Sequence, residues 1–168
     1  MAFRQESPEV YYLDAPPRLA GSAEIAFLKA RARENPRLRA RLCMHADPHA
    51  AVHEMLIVHH RDAYVPPHRH RGKGESFHVI EGEATIVLFD DAGTVTERIP
   101  IGSSGNGRAF YYRFEGSVPH TLLIESEWLV FHETTKGPFD RSATELMTWA
   151  PAEGDGDAVR TYVAHLRG

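Results

Sequence analysis

The chain has 168 residues, 42% of them apolar and 25% charged, with a net charge of −4 when histidine is neutral. That is an ordinary globular composition of about one-domain length, and it lacks the basic surplus that nucleic acid would select. No run of about 18 apolar residues predicts a transmembrane helix, the first eight residues lack the apolar core of a leader, and the single cysteine, Cys43, excludes an internal disulfide, so a cytoplasmic protein is expected.

Residues 1 to 21 are polar and rich in proline, with Val10–Leu13 as a short edge strand. Ser22 can cap a helix over 23 to 35, with Glu24 in its first turn and Pro36 at its end. Arg39–Met44 alternates charge and bulk and reads as a strand. Asp47-Pro48 marks a turn before a β-branched strand, Val52–His60. After the histidine-rich segment, strands are expected over 76 to 81, 84 to 90 and 94 to 99, with Gly82 and Asp91-Ala92-Gly93 at the turns. The loop Gly102–Gly107 carries three glycines but no Lys-Ser/Thr ending, which argues against a phosphate loop. Further strands are expected over 109 to 114, 120 to 126 and 128 to 134, the last two joined by a Ser126-Glu127 hairpin, and a terminal helix over 158 to 167. Short strands at this spacing favour a sandwich or closed barrel.

His68-Arg69-His70 is followed by Arg71-Gly72-Lys73-Gly74 and Glu75. On a strand, residues i and i+2 share a face, so His68 and His70 can aim two imidazoles at one point. A glycine-containing loop can return Glu75 to the same point. Two nitrogens and an oxygen converging from one side suit a first-row divalent metal with open positions.

His68-x-His70, four residues, Glu75, six residues and Gly82 resemble the first motif of the cupins. His120, in Val118-Pro119-His120-Thr121, fits the histidine of the second cupin motif. Asp62 stands where the first motif opens with glycine, and Glu115, Ser117 and Ile124 replace the residues that usually flank the second histidine. The resemblance covers roughly residues 50 to 135. It implies a mostly β, RmlC-like jelly-roll barrel, the cupin double-stranded β-helix, with an N-terminal helix and a short C-terminal helix. It also implies a metal centre of His68, His70, Glu75 and His120. Pieces outside those motifs, Lys136-Gly137-Pro138-Phe139 and Thr148-Trp149-Ala150-Pro151, resemble the WbuC family of cupin-fold metalloproteins. That family is associated with bacterial polysaccharide (O-antigen) gene clusters.

Other residues complete the expectation. Phe77 and Val79 share the face of Glu75 and should line the barrel, leaving His78 outside. Tyr64 by parity can face inward as an acid or hydrogen-bond donor, or pack by its ring at the rim. Phe131 and His132 point to opposite faces, so one of them enters the barrel; an inward His132 would stand beside the ligands. Arg37, Arg39 and Arg41 share one face, either as an ion-paired surface or as a patch for an anionic substrate. Arg39 on that face, Lys73 in the ligand loop, Phe77 and His132 are the candidate substrate contacts. One domain over 1–168 is expected: an extension over 1–45, a barrel core over 50–135 and a C-terminal extension over 136–168. It would bind one divalent transition metal (Fe, Mn, Ni, Co or Zn) and act as a metal-dependent enzyme on a small polar molecule, such as a carbohydrate. An iron-dependent dioxygenase and a non-enzymatic ligand-binding or sensory cupin are the alternatives. A homodimer follows from the resemblance, and neither nucleic acid nor a membrane is expected as a partner.

Overall fold

The computed structural model describes residues 3–14, 16–115 and 117–168. Met1 and Ala2, the start of the stretch read as lacking a leader, lie outside the described residues. The seven-stranded sheet runs β1 (Phe3–Ser7), β2 (Val10–Leu13), β3 (Arg39–Cys43), β4 (Val52–His60), β11 (Trp128–Lys136), β6 (Gly74–Glu81) and β9 (Tyr111–Glu115). The five-stranded sheet runs β12 (Thr144–Leu146), β5 (His68–His70), β10 (His120–Ile124), β7 (Glu83–Phe89) and β8 (Val95–Gly102). A helix α1 (Ser22–Glu34) lies near the N-terminus and α2 (Gly156–Arg167) near the C-terminus. The result is a mostly β jelly-roll barrel. Among the described residues no helix is long and apolar enough to cross a membrane.

Three apolar clusters explain why so many strands are apolar on both faces. Met55, Ile57, Phe77, Val79, Ile86, Leu122, Ile124 and Phe131 fill the space between the sheets. Leu56, Val58, Trp128 and Val130 point the other way, onto Leu28 and Ala32 of α1. Val87, Phe89 and Leu123 meet Leu166 of α2, with Trp149 against them. Each fully buried Leu, Ile, Val or Phe side chain contributes roughly 1.5–3 kcal/mol.

The connections differ from the sequence reading where strands change sheets. The Gly82 turn carries the chain from β6 in one sheet to β7 in the other. Gly82 has φ +86°, and a Cβ there would fall 2.0 Å from the Trp128 carbonyl oxygen, so glycine is required twice over. Ser126-Glu127 joins β10 and β11, which belong to different sheets; it is a crossover, not the expected hairpin. The Asp91-Ala92-Gly93 hairpin does form, with Asp90 Oδ1 accepting the amides of Ala92 and Thr94 at 3.0 and 2.8 Å. Val10–Leu13 is an interior strand rather than an edge, because β1 pairs outside it and β3 runs parallel on its other side. The N-cap of α1 is Gly21 rather than Ser22, with its amide donating to Glu24 Oε2 at 2.8 Å. β1 and β12 come from segments that carry no clear strand pattern.

Candidate metal centre

His68 and His70 lie two residues apart on β5 and aim at one point, as strand parity requires. His120 on β10 pairs directly across from His68. Glu75 comes from β6 in the facing sheet, so the cluster bridges the two layers at the barrel mouth. Nitrogens of His68, His70 and His120 lie within 4.8 Å of one another, close to the roughly 4 Å that two ligands each about 2 Å from one ion can span. Glu75 Oε1 lies 3.0 Å from His120 Nε2, and Oε2 lies 3.1 Å from His70 Nε2.

The outer nitrogens are already committed. His68 Nδ1 donates to the Pro66 carbonyl at 2.9 Å, and His120 Nδ1 to the Val118 carbonyl at 3.0 Å. A carbonyl oxygen only accepts, so both rings carry their proton on Nδ1. His70 Nδ1 lies 3.1 Å from the Thr144 hydroxyl oxygen on β12. Such outer contacts fix tautomer and ring orientation around metals. In a neutral His120 the Nε2 lone pair then faces a carboxylate oxygen of Glu75, a residue only 4% exposed. That contact is favourable only with a cation between the two, a proton or a metal ion. Two Nε2 lone pairs, the His70 imidazole beside them and a buried carboxylate thus fit a divalent metal.

The electrostatics follow from the same contacts. Burial pushes His68 down to about 4, with His120 adding to the effect. Burial also works against charge on His120, but the Glu75 carboxylate outweighs it and raises that ring's pKa. Burial opposes ionisation of Glu75, yet His120 and His70 together hold it well below the usual carboxylate range. Around neutral pH the site therefore offers a carboxylate and at least one neutral imidazole, the forms a metal needs.

The ligand strand is braced from outside. Arg69 Nε and Nη2 donate to the two carboxylate oxygens of Glu145 on β12 at 2.9 and 3.1 Å, and Arg71 joins them at 2.6 Å. Those two arginines hold Glu145 down at about 2.

The cluster forms one end of a cavity of about 1260 Å³ between the sheets. Ile57, Phe77 and Phe131 line its middle, and Arg37, Arg39 and Glu153 its far rim; Met147, Thr148 and residues 150 to 153 of the C-terminal extension also line it. Phe77 is where parity placed it. Arg39 does line the cavity, but in an ion-pair lattice: its Nε donates to Glu9 Oε2 at 3.0 Å, and Glu153 Oε1 lies 3.4 Å from its Nη2. Three other candidates face elsewhere. Tyr64 is outside the cavity lining, and its hydroxyl donates to the Pro151 carbonyl at 3.0 Å. Lys73 donates to the Pro138 carbonyl at 3.0 Å, also outside it. His132 points to the opposite face of β11, into a separate depression with Arg18, Met44 and Leu56, because Phe131 takes the inward position. That same alternation turns Glu133 inward, and the sequence reading missed it. Burial, then the Glu75 charge, pushes Glu133 up to about 8, against the pull of Arg41.

A family model described as a domain of unknown function, DUF6016, matches residues 21–101. No curated protein matches the sequence. Among solved structures the chain is similar to a Shewanella oneidensis protein, with TM-score 0.52 and 13% identity over 72% of this chain and 76% of that one. It is similar to oxalate decarboxylase from Bacillus subtilis, with TM-score 0.51 and 16% identity over 77% of this chain and 34% of that one. It is also similar to the DMSP lyase DddQ from Ruegeria pomeroyi, with TM-score 0.50 and 16% identity over 68% and 54%. The chain thus spans about a third of the decarboxylase and about half of the lyase. At these identities the likeness is one of fold, and it defines the class: this is a cupin-fold protein. Its histidine cluster is one that can hold a metal ion.

Proposed function

We propose that His68, His70, Glu75 and His120 bind one divalent transition metal, and that the chain is a metal-dependent enzyme acting on a small polar molecule. The observation that carries this reading is the tautomer argument: Nδ1 of His68 and of His120 is spent on a carbonyl, which leaves the Nε2 lone pairs for the space beside Glu75. A metal bound there supplies Lewis acidity, polarising a carbonyl or easing deprotonation of water. The chain itself supplies the rest. Phe77, Ile57 and Phe131 give the cavity dry walls that orient a ligand. Glu133 lines the same cavity, and burial raises its pKa above the usual carboxylate value, which makes it the group placed to hold and deliver a proton.

A carbohydrate or sugar-derived substrate is supported by the resemblance to the WbuC family. Phe139, Ala150 and Pro151, from the pieces that carry that resemblance, line the cavity. One domain over 1–168 is supported by β1, β2 and β12, through which both extensions join the barrel's own sheets. Pairing into a homodimer is supported by the exposed Tyr111 on edge strand β9, with Phe110 beside it. A cytoplasmic setting fits the reduced, lone Cys43.

Elemental analysis after chelation and reloading tests the metal assignment. About one ion per wild-type chain is expected, with loss in His68→Ala and Glu75→Gln. Turnover that stops without oxygen would mark a dioxygenase, and a ligand held without turnover would mark a binding protein.

A further inference from the structure

On the seven-stranded wall of the cavity, away from the histidines, the arginines are not equivalent. Arg37 Nε donates to Glu153 Oε1 at 2.9 Å, and its Nη1 meets Glu9 Oε1 at 2.5 Å. Arg39 shares the same two carboxylates at 3.0 and 3.4 Å. Two guanidiniums and two carboxylates therefore balance. Arg41 lies two residues beyond Arg39 on the same face of β3 and also lines the cavity. It enters no ion pair among the described residues, and its buried Nε has no hydrogen-bond partner. His59 is the residue paired with Arg39 across β4. It is 8% exposed, lines the same cavity, and its buried Nδ1 is likewise without a partner.

A buried N–H with no acceptor is destabilising, and native proteins satisfy nearly all such groups; Arg41 Nε is always such a donor, and His59 Nδ1 is one in the tautomer that carries its hydrogen there. Two unpartnered groups on one cavity wall point to a ligand atom that completes them. Glu133 does not play that part: it forms no hydrogen bond or ion pair with Arg41 among the described residues, and the Arg41 Nε stays without a partner. One uncompensated guanidinium remains beside a histidine.

We propose that Arg41, with His59 beside it, is a carboxylate subsite, and that the molecule taken into the cavity is a small carboxylic acid bound as its anion. This rests on the reading of the cavity as the substrate site, with the rest of the molecule facing the His–Glu75 cluster. A carboxylate matches the available charge, one cation. It also matches the planar guanidinium fork, which can bind both oxygens. A phosphate dianion would call for further cations, and Arg37 and Arg39 are already neutralised.

Calorimetric titration with L-malate, L-malamide and inorganic phosphate tests the subsite, first on the chelator-stripped protein and then on the zinc-loaded one. Malate is expected to bind the stripped wild type more tightly than malamide. Arg41→Gln should weaken malate about 10- to 100-fold, and Arg41→Lys and His59→Gln by less. The proposal fails if stripped wild type prefers malamide or does not discriminate, if phosphate binds more tightly than malate, or if Arg41→Gln binds malate as wild type does. A role for Arg41 only as counter-ion to Glu133 would show as a lowered melting temperature, restored in Arg41→Gln/Glu133→Gln, with malate affinity unchanged; that result also overturns the subsite. Should Arg41→Gln fold poorly, Arg41→Lys and His59→Gln carry the same comparison. Metal content of His68→Ala tests the cluster separately, because the titration of stripped protein does not depend on it.

Discussion

At the histidine end of the cavity, Glu75 meets His120 and His70 at 3.0 and 3.1 Å, and the carboxylate is 4% exposed. At the far rim, Glu9 and Glu153 meet Arg37 and Arg39 at similar distances, with side chains 16% to 40% exposed. Both ends hold carboxylates against basic side chains, yet the rim is complete as it stands. Its arginines are charged at every relevant pH, so each contact is an ion pair that clamps the β1–β2 turn to the C-terminal extension. The inner contacts have no permanent cation: with Nδ1 of His120 committed to a carbonyl, lone pair faces carboxylate unless a proton or metal intervenes. The comparison separates carboxylates that hold the cavity together from a carboxylate that awaits a ligand. Solvent-screened pairs such as those at the rim are worth little individually; a buried unpaired carboxylate is costly.

Removing inner ligands should break this contrast most strongly. Glu75→Gln, His68→Ala and His120→Ala are each expected to lower metal affinity by more than 100-fold, beyond the 10- to 100-fold typical of outer contacts, as measured by competition with a chromophoric chelator. Metal binding should also stabilise the fold. At a free metal concentration of about 100 times Kd, linkage gives about 2.7 kcal/mol, or about 5–10 °C in melting temperature for a chain of this size, and the shift should vanish in Glu75→Gln.

Acidification sharpens the comparison next. Burial, with Arg41 and Arg37 adding to it, pushes His59 down to about 4. A lowered folded pKa means that its contribution to stability is full above the unfolded value of about 6.5 and is lost as pH falls towards the folded value. Urea unfolding should therefore show about 2 kcal/mol less stability at pH 5 than at pH 7.5 from this residue alone, and His59→Gln should flatten that slope.

The smaller effects lie outside the ligands. Thr144→Val removes the hydroxyl beside His70 Nδ1 and should cost about 10-fold in metal affinity with the melting temperature of the metal-free chain unchanged. Glu153→Gln at the rim should leave metal affinity at the wild-type value and lower stability by less than about 1 kcal/mol.

The barrel was legible in the sequence where local rules suffice. Alternation placed Val52–His60 and Trp128 onward on strands, and glycines marked the Gly82 and Gly93 turns. The His68–His70 parity held because β5 is a regular strand, and Glu75 followed through a short loop. His120 needed the resemblance, since nothing local distinguishes it among 11 histidines. Glu133 was recoverable: once Phe131 is taken as core, period-two alternation turns Glu133 inward and His132 outward. Tyr64 and Lys73 were not. Their partners, the carbonyls of Pro151 and Pro138, lie 87 and 65 residues away in sequence, in an extension whose path no local pattern predicts. For the same reason Met147, Thr148 and residues 150 to 153 gave no sign that they line the cavity, and β1 gave none that it displaces Val10–Leu13 from the sheet edge.

The central claim is that the cluster is a metal site completed by Glu75. Metal content per chain, measured on wild type, Glu75→Gln and Glu153→Gln purified side by side and reloaded under one limiting metal concentration, tests it most directly. About one ion in wild type and in Glu153→Gln, with a small fraction of that in Glu75→Gln, is the predicted result. Equal metal in all three would contradict it.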